Sequence, residues 1–417
     1  MTDGDGRFLN HFIKEKVPDD STMSSSQALA LQVFEWCTKY GVSDTLEFIA
    51  GDSTNSNTGY KGGMFHFLEE YLERRLFWIV CQLHTNELKL RRLITQRDGK
   101  TSSTEGWAGE LGKLLPTVSS LERTLSFPAI PAKTSLPDLP DGVVKDLTSD
   151  QRYGYRITKA IRSGKMDNDL AALTVGKTGH SRWLTTANLF CDWWCRSHGL
   201  KGKLLARLRE FVSFITMVYF PCWFQVKINN SWVDGPRNVL FELSCLRTQP
   251  KVVQLTVMPT VRSSAWFAHS EAILVTMLCS EVEEERRIAV LKITSIRGEQ
   301  ELRDTSLRLR TLPNLNTQAT TLEKMIDWEG ATEPIITCRL TKSELLEFMG
   351  KPMEVEYFPC HTQAIERAVK EVTAAASAVY GAERRDGFIR GRAEYIDLMP
   401  RINSKKDLIG IMKLAMK

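Results

Sequence analysis

The sequence is short of the features that mark secreted, disulfide-rich or membrane-spanning proteins. Its nine cysteines stand singly rather than at framework spacing, and an odd number cannot all pair within one chain. No signal peptide is recognisable. The longest apolar run, residues 211–226, is too short for a spanning helix and is interrupted by Pro221. We therefore expect an intracellular, soluble protein with reduced thiols and no membrane partner.

Repeats, heptad arrays and low-complexity tails are absent as well, which argues against a solenoid or a coiled coil. Neither sign of charge dominates, because 55 basic residues stand against 50 acidic ones, a net charge of +5. Such a mild excess permits a nucleic-acid partner without requiring one. The 417 residues leave room for two or three domains with ordinary cores.

Four segments near the start of the chain alternate between helical and strand patterns. Apolar spacing predicts helices over residues 24–41 and 64–76, and short apolar runs predict strands over residues 45–52 and 77–84. Helix, strand, helix and strand in this order indicate a parallel βαβ unit with a right-handed crossover.

Asp52 and His84 fall at the ends of these two predicted strands, where functional groups of parallel sheets gather. A loop rich in Ser, Thr, Asn and Gly follows Asp52. Two interpretations of Asp52 stay open at this point: it caps the next helix, or it binds a metal ion.

The rest of the chain changes character twice. Five prolines predict an extended connector, a long helical stretch follows, and a strand-like piece at residues 353–358 precedes a final helix ended by Gly381. The predicted class is α/β plus all-α. We predict four regions: an α/β region over residues 1–113, a connector over residues 114–147, a helical region over residues 148–350, and a return to the α/β region over residues 351–417.

Two residue pairs each offer half of a zinc site, namely Cys81 with His84, and Cys191 with Cys195 one helical turn apart. Tetrahedral zinc needs four ligands, usually supplied as two tight pairs. These pairs are unlike and far apart in sequence, and cysteines on helix faces are more often small core residues. We expect no structural zinc.

Trp183 stands between Arg182 and two threonines near a predicted helix start. An Arg can pair with a phosphate while the adjacent Trp stacks on an unpaired base, although such a dipeptide is more often in a core or on a plain surface. Trp193 and Trp194 have the spacing of core residues.

Glu366 lies early in the last predicted helix and has two interpretations. It can form an exposed i,i+4 pair with Lys370, or it can point its carboxylate at Asp52 across the sheet. Spacing alone favours the exposed pair.

Four segments taken in order resemble the hAT-like transposases, a branch of the DDE recombinases built on a ribonuclease-H-like fold. They span most of the chain, and their order and spacing carry more specificity than any one of them. The segments are "AGDSTNSNTG" at 50–59, "CQLHTNEL" at 81–88, "SRWLTT" at 181–186 and "FPCHTQAIERAVKEV" at 358–372.

The resemblance implies a ribonuclease-H-like α/β core that a large helical insertion interrupts and the C-terminal helix completes. It also implies two Mg²⁺ ions for phosphoryl transfer, with Asp52 and Glu366 as metal ligands. His84 would lie near the scissile phosphate, and Arg182 and Trp183 would clamp a flipped base at the transposon end.

The family's first catalytic aspartate has no clear counterpart here. Asp3 and Asp5 are the early acids that could replace it, and they stand in a polar, glycine-rich stretch unlike a central strand. We therefore expect the first strand to be missing.

The leading hypothesis is a transposase-derived DNA-binding protein with lost or reduced strand cleavage and transfer. An active Mg²⁺-dependent transposase or nuclease is the second hypothesis, and a helical interaction scaffold without nucleic acid is the third. The resemblance implies DNA as partner, a homo-oligomer and a nuclear location. Three basic stretches could supply phosphate contacts, and each is about as well explained as a solvated helix face. They are "KLRRLITQR" at 89–97, which contains Lys89, Arg91, Arg92 and Arg97, "KGKLLARLR" at 201–209 and "ERRDGFIRGR" at 383–392.

Overall fold

The computed structural model describes residues 23–101, 107–176, 182–300, 310, 312, 314–361, 377–379 and 381. These residues belong to two compact units. The first unit contains residues 23–81, Arg310, 356–361, 377–379 and Gly381, and the second contains the described residues from Gln82 to Val355 other than Arg310.

The first unit contains the predicted βαβ element. Its strands β1 (Phe48–Gly51) and β2 (Phe77–Val80) pair in parallel, with Phe48 opposite Phe77 and Gly51 opposite Val80. The helices of this unit are α1 (Ser25–Lys39), the single turn α2 (Asn55–Thr58) and α3 (Met64–Tyr71). The parallel pair with helix α3 between its strands confirms the mixed α/β character, whereas the larger ribonuclease-H-like sheet remains a prediction.

Helix α1 forms where the sequence pattern predicts it. The Ser24 side chain accepts a hydrogen bond from the Gln27 N–H at 3.2 Å, which caps the first turn. Its buried face, Ala30, Val33 and Cys37, lies on the side that packs against α3. All four residues of β2 are buried, as expected for a strand covered on both faces.

A buried cluster connects a late segment of the chain to β2. Glu69 on α3 accepts hydrogen bonds from the Leu76 N–H at 2.8 Å and from the Trp78 indole N–H at 3.0 Å. The Arg310 guanidinium lies 3.4 Å from the same Glu69 oxygen, donates to the Leu76 carbonyl at 2.9 Å and stacks over the Trp78 ring. The chain therefore returns to the first unit at Arg310, 229 positions after Cys81.

Residues 353–358 were predicted to be strand-like, and this prediction is wrong. They form no regular element, because the Met353 N–H donates to the Leu278 carbonyl at a helix end rather than to a neighbouring strand. Phe358 nevertheless packs on β1, with its ring centroid 4.9 Å from that of Phe48. Glu366 and most of the predicted last helix lie outside the described residues.

The second unit is helical and begins at Gln82, inside the range 1–113 that was predicted to be α/β. Its core contains many of the large side chains, including Trp193, Trp223 and Trp232. Its helices are α4 (Gln82–Arg97), α5 (Glu110–Leu114), α6 (Asp141–Asp146), α7 (Ser149–Ser163), α8 (Asn168–Ala172), α9 (Arg182–Trp194), α10 (Gly202–Phe214), α11 (Phe220–Ile228), α12 (Gly235–Arg247), α13 (Lys251–Ser263), α14 (Ser270–Leu278), α15 (Glu283–Gln300) and α16 (Lys342–Glu347).

The connector predicted at residues 114–147 is extended only in its middle. A 3₁₀ turn (Leu115–Ser120) and α6 occupy its two ends. Between them the backbone runs along α7 and α9, with the Ile130 N–H bonded to the Ile161 carbonyl at 2.9 Å and the Thr124 N–H to the Cys195 carbonyl at 3.1 Å.

The long apolar stretch Gly202–Ile228 consists of α10, a π-helical turn (Ile215–Tyr219) and α11. By length and composition it is the one candidate membrane span among the described residues, but 72% of its most apolar window is buried inside the protein. Burial of this kind is typical of the core helix of a soluble protein.

The π-helical turn is supported by side chains from other elements. In a regular α-helix the Met217 carbonyl would bond to the N–H of residue 221, but Pro221 has none. The Thr134 hydroxyl donates to the Met217 carbonyl at 2.9 Å, and Arg162 donates to the Thr216 carbonyl at 2.6 Å. Asn86 donates to the Tyr219 carbonyl at 2.9 Å. These donors satisfy backbone acceptors in the widened turn.

Candidate functional site

Asp52 directly follows the last residue of β1 and organises the loop after it. Its Oδ1 atom accepts three hydrogen bonds: from the Thr54 N–H at 2.9 Å, the Thr54 hydroxyl at 2.6 Å and the Asn57 amide at 2.8 Å. The bond to the N–H two residues ahead is the pattern of an Asx turn. The N-cap residue of α2 is Thr54 rather than Asp52.

Glycines make this loop compact. A Cβ on Gly63 would lie 2.5 Å from the Asn57 carbonyl oxygen, and a Cβ on Gly51 would lie 2.8 Å from the Phe65 ring. Gly59 is similarly confined by the Asn55 carbonyl at 2.6 Å. Because no side chain fits at these positions, the loop holds Asp52 in one defined place at the carboxyl end of β1.

The metal interpretation of Asp52 depends on a second carboxylate. Within the described ranges, no three His, Cys, Asp or Glu side chains lie close enough together to hold a metal ion. Glu366, the predicted partner, lies outside those ranges. Asp52 therefore fits Mg²⁺ by the chemistry of its oxygens, but the described residues do not by themselves form a metal site.

His84 does not lie at the end of a strand, so that prediction is wrong. Strand β2 ends at Val80, and only Cys81 separates it from α4, which places His84 in the first turn of that helix. The helical period of residues 82–97 outweighs the short apolar run from which the longer strand was inferred. His84 belongs to the second unit and Asp52 to the first.

The cysteines weighed as zinc ligands, Cys81, Cys191 and Cys195, are buried. Burial is the main cause that raises the pKa of the Cys191 thiol well above its ordinary value, with the nearby Cys195 adding to the effect. The Cys195 thiol, directly after α9, donates to the Cys191 carbonyl in the last turn of that helix. A raised pKa disfavours the thiolate that zinc requires.

Arg182 is the first residue of α9, and Trp183 follows it into the core. The Trp183 side chain is only 6% exposed, so its ring is not available at the surface for stacking on a base. Trp193 and Trp194 are buried as well, which confirms that they are core residues. Helix α9 is buried around most of its circumference, since residues 183–188 and 190–194 are all buried, and this explains all three positions.

Lys89 is buried in the second unit, which contradicts its predicted role as a phosphate contact. Its ammonium group lies 2.5 Å from a Glu242 carboxylate oxygen, and the two residues are 3% and 8% exposed. Nearby, Gln82 donates to the Gly235 carbonyl at 2.8 Å and accepts from the Asn238 amide at 2.9 Å. The polar face of α4 thus packs against α12 rather than facing solvent.

The three arginines of α4 have different surroundings. Arg91 is exposed. Arg92 donates through Nε to the Thr256 carbonyl of α13 at 2.9 Å, and Arg97 binds Glu210 of α10 at 2.8 and 3.2 Å. The hydrogen bond to Glu210 is the main cause that raises the pKa of Arg97.

Further exposed cations lie on the helices beside α4. Those of α10 belong to the basic stretch 201–209 that the sequence already offered as a candidate, whereas those of α13 were not among the candidates. The third candidate stretch, 383–392, lies outside the described residues. Lys203 and Arg209 are on α10, and Lys251 and Arg262 are on α13. Helix α13 has no acidic residue, and this asymmetry is the sequence signal that could have identified it.

The chain matches none of the protein-family models, curated proteins or solved structures with which it was compared.

Proposed function

We propose that this chain is a hAT-like, transposase-derived DNA-binding protein in which Mg²⁺-dependent strand cleavage and transfer are lost or reduced. The observation that carries the proposal is the order of its elements. A parallel β1–α3–β2 element presents Asp52 at a strand end, a long helical unit follows β2, and the chain then returns to β1 at Phe358. An insertion in this place is what the ribonuclease-H-like transposase arrangement requires.

Hydrogen bonding fixes the Asp52 carboxylate in place but does not separate reduced from full metal chemistry, because metal-ligating carboxylates are themselves hydrogen-bonded. Three donors from Thr54 and Asn57 converge on one of the two carboxylate oxygens, whereas an ionised carboxylate offers roughly four acceptor positions in all. In an active site, Asp52 and Glu366 would hold Mg²⁺, which stabilises the developing charge in phosphoryl transfer. Asp52 itself would contribute to that site a carboxylate held in a fixed position at the end of β1.

DNA contact in this proposal comes from exposed cations of the second unit. Arg91 and its neighbours on α10 and α13 are accessible, whereas Lys89 and Trp183 are buried and take no part. The same proposal includes a nuclear location and self-association, because the resemblance to hAT-like transposases implies both.

The proposal is tested by incubating the full chain with hairpin-ended and branched DNA in the presence of Mg²⁺. We expect binding that weakens steeply with salt, and cleavage that is absent or slow. The Asp52→Asn and Glu366→Gln variants are the controls. The amide introduced by Asp52→Asn retains an acceptor oxygen for Thr54, so this variant changes the charge with little effect on the loop.

Fast cleavage that disappears in both variants would instead establish an active Mg²⁺-dependent nuclease or transposase.

The hydrogen bonds from Thr54 and Asn57 favour a further candidate function, since they explain Asp52 as the residue that organises its loop without any metal. That candidate is a helical interaction scaffold. Absence of DNA binding even at low salt would support the scaffold and overturn the proposed function.

A further inference from the structure

Three helices of the second unit, α10, α4 and α13, pack side by side. Helix α4 contacts both of the others. Arg97 joins it to α10 through Glu210, and Arg92 joins it to α13 through the Thr256 carbonyl. Arg92 and Arg97 are five residues apart, which separates them by about 140° around the helix, so the neighbours flank α4 on two sides. Arg91 lies on the opposite, wider and exposed arc, about 100° from Arg92 and about 120° from Arg97.

The exposed side chains of these helices carry cations without matching acids. None of the five makes an ion pair within the described ranges; they are Arg91, Lys203, Arg209, Lys251 and Arg262. The acids of the same helices do not balance them, because Glu210 of α10 is already bound to Arg97. Glu87 is the single other acid on the three helices.

The chemistry of this face favours a regular polyanion. Helices in contact lie about 8–10 Å apart, so the three axes span roughly 16–20 Å, close to the width of a DNA duplex. Binding to single strands generally uses exposed aromatic side chains. Neither α4 nor α13 contains Phe, Tyr or Trp, and Phe211 and Phe214 of α10 are buried.

We infer that the exposed faces of α10, α4 and α13 form one basic surface that binds the backbone phosphates of duplex DNA, with Arg91, Arg209 and Arg262 as contacts from each helix. This inference rests on the proposed function and adds to it the binding surface and the double-stranded form of the partner. Phosphate contacts position the protein on DNA and do not select a sequence.

An acidic polypeptide is the competing occupant of the surface. Leu255 is 63% exposed and Val252 46% exposed, and with Arg92, Gln96 and Thr256 they line a shallow groove between α4 and α13. An amphipathic acidic helix could use such a groove. Duplex DNA is favoured because the cations extend over all three helices, well beyond this groove.

The test measures binding of the full chain to a fluorescent duplex of about 20 base pairs at several KCl concentrations. Each phosphate contact contributes about 0.9 to the slope of log K against log salt concentration. The triple variant Arg91→Gln, Arg209→Gln and Arg262→Gln should therefore reduce the magnitude of the slope by about 2.7, three times 0.9. The changed side chains are exposed, so circular dichroism and the unfolding temperature should stay as in the wild type.

The matched control removes the same charge elsewhere in the second unit. Lys133, Lys145 and Lys159 are exposed and do not lie on the three helices. Changing all three to Gln should leave the salt slope unaltered. An equal fall in slope for the control and the triple variant would overturn the assignment of the surface while leaving DNA binding established.

Two further outcomes separate this inference from the proposed function. If the wild-type chain binds no duplex at low salt, the proposed function fails together with the surface. If polyglutamate displaces the duplex as well as unlabelled DNA does at equal charge concentration, and the triple variant loses both ligands, the surface is real and its partner is an acidic polypeptide instead. Weak competition by polyglutamate supports duplex DNA.

Discussion

At the scale of single residues, burial decides which charged side chains are structural. Lys89 was grouped by sequence with Arg91, Arg92 and Arg97 because all four stand in one basic helix. In the folded chain Lys89 forms an ion pair with Glu242, which is 153 positions away. No local sequence pattern predicts a partner at that distance. A basic stretch therefore predicts surface contacts only for those of its residues that the fold leaves exposed.

The Lys89→Met variant should lose about 3–5 kcal/mol of unfolding free energy, because Glu242 would remain buried without a cation. The measurement is urea denaturation at neutral pH. A Lys89→Met, Glu242→Leu double variant should recover most of the loss. Arg91→Met, on the exposed side of the same helix, should change stability by no more than about 0.5 kcal/mol. Equal losses for Lys89→Met and Arg91→Met would contradict the buried pair.

At the scale of elements, helix-to-helix connections depend on a few charge-assisted hydrogen bonds at helix ends. Arg237 of α12 donates to Glu285, in the first turn of α15, at 2.5 Å, and to the Ser280 hydroxyl at 3.0 Å. Desolvation is the largest influence and opposes ionisation of Glu285. The hydrogen bonds from Arg237 and Ser280 together outweigh it, so the pKa of Glu285 is lowered.

A lowered folded-state pKa means that the stability from Glu285 is present above the ordinary value near 4.5 and is lost as pH falls through the folded value. Glu285→Gln should destabilise the chain at pH 7, by no more than about 1 kcal/mol since the pair is partly exposed. Its deficit relative to the wild type should shrink below pH 4.5. Parallel urea titrations across this acidic range and up to neutral pH check this, and a deficit that stays constant with pH would rule out the ionic contribution.

The presence of helices and strands was easier to predict from the sequence than the residues at which they begin and end. The apolar spacing and serine cap of α1 and the order strand, helix, strand are local signals, and the structure contains all of them. His84 was misplaced because the apolar run of β2 continues into α4 with a single residue between them. Residues 353–358 have strand-forming side chains, but strand formation also needs a neighbouring ladder, which sequence does not reveal.

At the scale of the whole molecule, the chain divides into two units, each with its own core. We expect two thermal transitions rather than one, since two-state unfolding is typical of single domains. The helical region was predicted to begin at residue 148, whereas the second unit begins at Gln82. Asp52 was correctly placed after a strand, but Trp183 was not recognised as buried because its exposure depends on how α9 packs.

The Arg310→Met variant should lower the unfolding temperature of one transition only. It removes the Arg310 cation from the buried Glu69 in the first unit, where Arg310 also donates to the Leu76 carbonyl. Lys89→Met, in the second unit, should lower the other transition. Differential scanning calorimetry of both variants separates the two effects. A single transition that shifts equally in both variants would show that the units unfold together.

The excursion between β2 and Phe358 has a consequence for synthesis on the ribosome. Residues 82–355, 274 positions, must be made before Phe358 reaches the Phe48 ring on β1. At roughly 5–20 residues per second this takes about 14–55 s. During that interval both strands have been made but the Phe48 ring on β1 lacks its contact with Phe358, so this protein should depend on chaperones that shield apolar segments until translation nears its end.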